Sequence, residues 1–568
     1  LLRRRDCRPL PHDAAVNTPS PALVSQRAAR RLPRSALLLL CAAYVLPGVF
    51  GRDPWRNADL VAFGTMLSLA EGRSAWLAPA LGGLAVDAAL LPYWLGAAAI
   101  RLLSPLVDPA LAARLPFALL LALVMALCWY STYHLARTEA AQPVAFAFGG
   151  EAAPVDYARA IADAAVLALI ACLGLLQLGH ETTPELVQLF AAALFLWALA
   201  GAPYRRWPTR LAAVAALLLL AGSGAPSFGL ALALAGTVVC WRSGFAQVRR
   251  LVPWIAAGAL AAALLAHALG AWVWRIEPPG SASDLLRNPK LWVWFLWPAW
   301  LLAPWTLWRW RQHLQHRHVA VPAAALGVAM ATSVLMGASD RALLLGLPPI
   351  AVLAAFALPT LHRSTSAAID FFSIILFTLA AGTLWVIYLS VQTGVPAKPA
   401  MNVARQIADF EPRFSWAALL VALAATGCWI WLVRWRTGRH REALWKSLVL
   451  PAGGVTLCLV LLLTLGLPIL DSARSNRAIA ERIARYVPAG HCLAAPAQSL
   501  ALIAALEYHG RLQVDGRTSA LADGCDYLVR VEPNDAQPAP PPGFRLLAHE
   551  RRPTDRHNRV AIYRRTGP

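Results

Sequence analysis

The sequence predicts a polytopic α-helical membrane protein of about thirteen spans with a small α/β domain at its C-terminal end. Three observations predict it. Of 568 residues, 58% are hydrophobic and only 14% charged, against roughly 25% charged in a soluble domain. Stretches of about 20 mostly apolar residues recur as far as residue 469, the length needed to cross a hydrocarbon core. Beyond them the chain turns polar. A single soluble domain could not hide so much apolar side chain, and disorder requires low hydrophobicity.

The spans are expected near 35–50, 115–135, 161–178, 186–202, 210–222, 228–241, 251–272, 292–308, 319–337, 341–360, 370–391, 416–433 and 447–469. The pair 210–222 and 228–241 is short and split by Gly222-Ser223-Gly224-Ala225-Pro226, so it reads as two spans or a re-entrant hairpin. Segment 90–104 contains Pro92 and Arg101 and reads as a helix along the interface. The net charge of +21, from 51 basic and 30 acidic residues, fits that assignment. Arginines then gather on one side: Arg27 to Arg34, Arg205-Arg206, Arg249-Arg250, Arg309 to Arg317 and Arg434 to Arg441. The alternate loops at 179–185 and 223–227 carry none. The excess of basic residues in cytoplasmic loops places the N-terminus in the cytoplasm. An odd number of spans places the C-terminal domain in the periplasm of a bacterial inner membrane.

This divides the chain into a basic cytoplasmic tail (1–35), a membrane domain (36–470) with a long first external loop (51–115), and an external domain (471–568). The segment from Ala36 to Phe50 reads as an uncleaved first span. The loop 273–291 contains Pro278-Pro279-Gly280 and reads as mobile. In the last domain HCLAAPA, RLQVDG, CDYLVRV, FRLLAHE and RVAIYRR read as strands and SLALIAALEYHG as a helix. Cys492 and Cys525 are its two cysteines, and an oxidising compartment favours a disulfide between them. No CxxC, HExxH, Walker or GxGxxG pattern is present, so neither a metal nor a nucleotide is assigned. The basic residues are absorbed by topology, so no nucleic-acid partner is expected.

Ionisable residues beside a membrane core are costly and raise a functional question. Three clusters stand on the external side. Gly51-Arg52-Asp53-Pro54-Trp55-Arg56-Asn57-Ala58-Asp59 follows the first span. Asp53 or Asp59 could accept a proton, and Arg52 and Arg56 could hold a phosphate. An interfacial Trp-Arg anchor with an N-cap on a helix at 59–71 is the structural alternative. Gly179-His180-Glu181-Thr182-Thr183-Pro184-Glu185 offers two carboxylates, or simply a helix start capped by Thr183. The run Trp292, Trp294, Trp297, Trp300 and Trp305 is an aromatic belt or a stacking surface, and Arg275, Arg287 and Lys290 before it could meet a phosphate. His313, His316 and His318 read as solvated on the opposite side.

In this order the features resemble the GT-C glycosyltransferases, in the branch containing bacterial aminoarabinose transferase and the protein O-mannosyltransferases. Glu71 to Pro79 resembles that family's first-loop turn, and Asp87-Ala88-Ala89-Leu90-Leu91-Pro92-Tyr93-Trp94 its Glu-Lys-Pro-Pro-Leu-x-Tyr-Trp motif. Ala112-Ala113-Arg114-Leu115-Pro116 resembles the opening of its second span, Pro298 to Trp305 its Pro-Trp segment, and Asp340-Arg341 with Leu345 to Pro349 a later one. The family lysine falls at Ala88, so the resemblance leaves lipid phosphate to Arg52, Arg56 or Arg341. It makes Asp53, Asp59 and Glu185 the candidate catalytic carboxylates, Asp53 first because it lies nearest the membrane, and places Asp87 and Tyr93 at the substrate.

The resemblance implies inverting transfer of a sugar from a polyprenyl-phosphate donor among the membrane lipids to lipid A, another envelope glycan or protein on the periplasmic face. Some family members use a divalent metal. A transporter or flippase of lipid-linked sugar, and a non-catalytic envelope protein, are the other classes.

Overall fold

The computed structural model describes residues 19–55, 57–272, 282–407, 410–438, 443–488, 490–521, 524–535, 539–552, 554–555 and 557–566. Arg56 and Arg275 lie outside the described residues. The first half carries α1 (Arg34–Val45), α2 (Ala58–Ala70), α3 (Leu90–Leu103), α4 (Pro109–Ala136), α5 (Pro154–Ala171), α6 (Leu173–Leu178), α7 (Pro184–Gly201), α8 (Arg206–Gly222), α9 (Pro226–Trp241), α10 (Ala246–Arg249) and α11 (Val252–Ala268). There follow α12 (Ala282–Phe295), α13 (Ala299–Arg309), α14 (Arg317–Leu335), α15 (Asp340–Leu344), α16 (Leu347–Ala357), α17 (Arg363–Thr393), α18 (Ala397–Gln406), α19 (Trp416–Thr437), α20 (Lys446–Leu462), α21 (Leu467–Arg474), α22 (Arg477–Ala484) and α23 (Leu500–Tyr508).

Each expected span falls on apolar helix. Among the described residues, six helices are long and apolar enough to cross a membrane, or up to seven if the bent pair α20–α21 forms one span. The other segments are shorter or interrupted. Cys172 leaves the helical backbone between α5 and α6, and Pro348-Pro349 restarts α16 after α15, because a proline cannot donate into a continuing helix. Helices α8 and α9 pack against each other and against α11. Segment 90–104 forms α3, packed between α2 and α4. The expected loop 273–291 becomes the helix α12 from Ala282 onward, with Pro289 inside it.

The segment before α1 is packed from Ala22 on, and the expected solvation of the histidines is corrected. Ala22, Val24 and Ala29 are buried, Trp445 Nε1 donates to Arg30 O at 2.6 Å, and Asp163 accepts from Leu32 N at 2.9 Å. His313 and His318 are buried against Trp310 rather than solvated. The large indole needs cover, and the short turn between α13 and α14 brings the imidazoles onto it.

The C-terminal domain holds β3 to β7, after the hairpin β1 (Ala80–Leu81) and β2 (Leu84–Ala85) in the first loop. β3 (Cys492–Ala494), β4 (Gln513–Asp515), β5 (Tyr527–Pro533), β6 (Phe544–Glu550) and β7 (Asn558–Arg565) form a mixed sheet in the order β4-β3-β5-β7-β6. β3 runs parallel to β4 and β5, with α23 as the crossover between β3 and β4, while β7 is antiparallel to β5 and β6. Cys492 and Cys525 are joined in a disulfide beside β3 and β5.

This domain is seated on the first loop. Gly64 of α2 lies so close to α23 that a Cβ there would stand 2.7 Å from Ala504 Cβ. The turn of the β1–β2 hairpin is Gly82-Gly83, both at positive φ, which a two-residue hairpin turn requires. Gly82 O accepts from Gly516 N at 2.8 Å. Helix α2, hairpin and α23 therefore share one apolar core, with Leu60, Leu81 and Ile503 fully buried in it.

Candidate functional site

The polar residues after α1 fold back on the end of α20–α22. Trp55 is the pivot. Its Nε1 donates to Asp471 Oδ1 at 2.8 Å, and its ring lies between two guanidiniums, Arg52 at 4.6 Å and Arg474 at 5.0 Å. Asp53, half-buried beside this stack, accepts two hydrogen bonds from Arg477, one of them from Nε at 2.9 Å. Burial pushes the Asp53 carboxyl up, but the bonds and charge of Arg477 outweigh it and hold the group below its ordinary range. Asp53 is therefore a carboxylate at neutral pH.

Asp59 is buried in the first turn of α2. It does not cap α2. Asn57 precedes the helix at φ 71, which lets the chain turn so that Asp59 Oδ2 accepts from Trp55 N at 3.1 Å. Its Oδ1 accepts from Thr182 N and Thr182 Oγ1, each at 2.8 Å. Arg52 completes the shell at 3.3 Å, both side chains being almost fully buried. A carboxylate has about four lone-pair positions, and all are used. Burial raises the Asp59 carboxyl, but Arg52, Arg114 and the two backbone N–H bonds bring it below its ordinary range. It ties the first loop to the 179–185 loop, to which Arg52 adds a bond to His180 O at 2.9 Å.

The 179–185 loop forms the next node. Arg341, on α15, donates to Glu181 Oε2 at 2.9 Å and to Glu185 Oε2 at 3.0 Å. Pro184 and Glu185 occupy the first turn of α7 as expected, but the Thr183 side chain makes no cap bond. Its hydroxyl accepts from Arg341 at 3.4 Å instead. Burial, and then the Asp59 charge, push Glu181 up. Tyr93 of α3 stands near enough to Asp87 and Glu185 to feel both charges. The structure thus brings together Arg52, Asp53, Asp59, Glu185, Arg341 and Tyr93. Asp87 is exposed beside them, and Arg287 and Lys290 are exposed on α12, which packs on α6, the helix leading to Glu181.

Four residues absent from the sequence-derived set complete the site. Asp471, Arg474 and Arg477 come from beyond the last span, where nothing in the sequence links them to the first loop. Arg114 stands inside the Ala-Ala-Arg-Leu-Pro motif and was legible there. It is 5% exposed, and its Nη1 reaches Val49 O at 3.4 Å while Nη2 has no hydrogen-bond partner. It ends a narrow apolar slot between α1 and α4, lined by Val45, Val49, Phe117 and Leu121, with His180 and Thr182 at the polar end.

Arg477 also lines an open cleft of ≈ 1010 Å³ between the first loop and the C-terminal domain. Its wall is polar: Glu71, Arg73, Asp108, Glu507, Tyr508 and His509 contribute. Burial lowers His509 to about 4, so its ring is neutral at neutral pH, and Nε2 has no hydrogen-bond partner. Among the described residues no group of three or more His, Cys, Asp or Glu side chains is placed to hold a metal ion.

The overall fold has solved counterparts. ArnT from Cupriavidus metallidurans bound to undecaprenyl phosphate superposes with a TM-score of 0.59 at 16% identity, over 93% of this chain and 97% of that one. The chain has the ArnT fold. The apo state of ArnT from the same organism gives 0.57 at 14% identity, over 94% and 99%. ArnT is the aminoarabinose transferase of the GT-C class that the first-loop motifs resemble. No family model matches the sequence, and no curated protein does. With this fold, six or up to seven apolar helices among the described residues are long enough to cross a membrane, and a five-stranded sheet forms the C-terminal domain.

Proposed function

We propose that the protein is a membrane glycosyltransferase that takes a sugar from a polyprenyl-phosphate donor and passes it to a glycan, lipid or protein acceptor at the periplasmic face of a bacterial inner membrane. The observation that carries this reading is the pairing of Asp53, an ionised carboxylate of the first loop, with Arg477, which lines the polar cleft. The acceptor occupies the cleft. Its oxygen or nitrogen forms the bond to the anomeric carbon with inversion, and its proton passes to Asp53. The bond from that carbon to the phosphate oxygen breaks, and the electron pair leaves with polyprenyl phosphate. Asp53 keeps this capacity while bound to Arg477, because the two bonds use only part of its lone-pair positions.

The donor phosphate is assigned to Arg114. Arg52 is committed to Asp59 and Arg341 to two glutamates, whereas Arg114 has an unbonded, buried N–H at the end of an apolar slot. A guanidinium there stabilises the charge that develops on the leaving phosphate. The slot is closed to ≈ 10 Å³, so donor entry parts α1 from α4. Glu185, Asp87 and Tyr93 orient the sugar.

The test is transfer of radiolabelled sugar from polyprenyl phosphate by the full chain in liposomes. Asp53→Asn is expected to lower the rate by about 100-fold or more with normal insertion. Unchanged transfer in Asp53→Asn would remove Asp53 from the chemistry. Uptake of lipid-linked sugar without transfer would replace the enzyme with a flippase.

A further inference from the structure

A second polar recess lies at the other end of the helix bundle. Helix α7 begins at the candidate site and α8 returns to it, since Gln188 donates to Ser223 O at 2.7 Å. The α7–α8 turn, at Arg205-Arg206, is therefore at the far end. There a notch of ≈ 60 Å³ opens between the start of α8 and α10–α11. Arg206, Arg210 and Arg250 line it together with the amide of Gln247.

Arg210 decides the chemistry. It is 8% exposed, and its guanidinium rests on two indoles, Trp207 at 5.2 Å and Trp254 at 5.6 Å. Arg206 stands 5.8 Å over the same Trp207 ring. Among the described residues none of the three arginines has a carboxylate partner. A buried charge is ordinarily paired, and three cations around one recess repel one another until an anion enters. The indoles supply cation–π attraction but no counter-charge.

We propose that this notch binds the phosphate of an anionic phospholipid headgroup from the leaflet facing the arginine-rich loops. The volume, about two waters' share of liquid, admits a phosphate and not a sugar or an acyl chain. Outside it Trp207, Leu211 and Trp241 are each more than half exposed. Such indoles mark the lipid–water boundary, which puts the recess at headgroup depth, where basic pockets between helices take anionic lipids. The occupant is thus a lipid rather than free phosphate: its chains lie along exposed Leu211 and Trp241 while its phosphate meets Arg206, Arg210 and Arg250. This site is separate from the transfer site and stands or falls without it.

The experiment is native mass spectrometry of the full chain in mild detergent, titrated with phosphatidylglycerol or phosphatidylcholine. The wild type should retain one phosphatidylglycerol, and Arg206→Ala/Arg250→Ala, both at exposed positions, should weaken retention about tenfold or more. Arg210→Lys keeps the charge but loses the planar fork, and should weaken it less. Equal retention in the double variant, equal retention of phosphatidylcholine, or displacement of the lipid by inorganic phosphate at matching concentration would overturn the proposal. Sugar transfer measured on the same variants reports on the other site and should be unchanged.

Discussion

Asp53 and Asp59 flank the same tryptophan and do different work. Asp59 is walled in by Arg52, Thr182 and two backbone N–H groups. Asp59→Ala leaves the Arg52 guanidinium buried and unpaired, which costs about 3–5 kcal/mol; thermal unfolding followed by tryptophan fluorescence should show the loss. Asp53 is held by Arg477, which lines the cleft, so Asp53→Asn should lower the unfolding midpoint less than Asp59→Ala does and slow transfer by about 100-fold or more. Acid separates two effects. His509 has a folded value of about 4 against an ordinary 6.5, so the unfolded chain binds the proton first, and the stability of the domain junction should fall as pH drops from about 6.5 towards 4. His509→Gln should flatten that slope. The depressed Asp53 carboxyl acts lower: its contribution is full above the unfolded value, about pH 4, and is lost as pH falls through the folded one. Glu181 and Arg114 sat within quoted motifs, but only their contacts distinguish them from neighbours of the same chemistry.

Helix α2 is the element on which the site depends. One end carries Asp59, and its flank at Gly64 touches α23 without room for a side chain. Gly64→Leu should lift the C-terminal domain from the first loop, withdraw Arg477 from Asp53 and lower transfer at least as far as Arg477→Ala does, with the membrane helices still inserted. Cross-linking between the first loop and α23 checks it. The apolar segments and the strands of the last domain were legible because a period of 3.6 or 2 is written locally. Helix boundaries were less so. The loop before the tryptophan run became α12, since Leu, Trp and Phe at helical spacing continue the apolar pattern through Pro289. The tail before α1 became a packed strap because Trp445 and Asp163, far along the chain, supply partners for its backbone.

At the scale of the molecule, arginine-rich turns occupy the end opposite the C-terminal domain. Reporter fusions after Ser243 and after Thr566 should therefore report opposite compartments, and the same compartment for both would overturn the assigned topology. Replacing Cys492 and Cys525 by serine should destabilise the C-terminal domain by about 3–4 kcal/mol under oxidising conditions, measured by its protease resistance, and leave the helices unaffected. By itself the sequence determined that the chain carries helices apolar enough for a membrane, where those helices lie, which of its loops are rich in arginine, and which first-loop motifs resemble a glycosyltransferase class. Each of these is carried by neighbouring residues or by their summed composition. Only the tertiary structure decided which carboxylate is sealed and which is paired with an arginine that lines a cleft, because that rests on partners such as Arg477, Asp471 and Thr182. Those partners lie far away in sequence: Asp471 and Arg477 meet Trp55 and Asp53 where the chain beyond the last span returns to the first loop, and Thr182 meets Asp59 where the 179–185 loop packs against it.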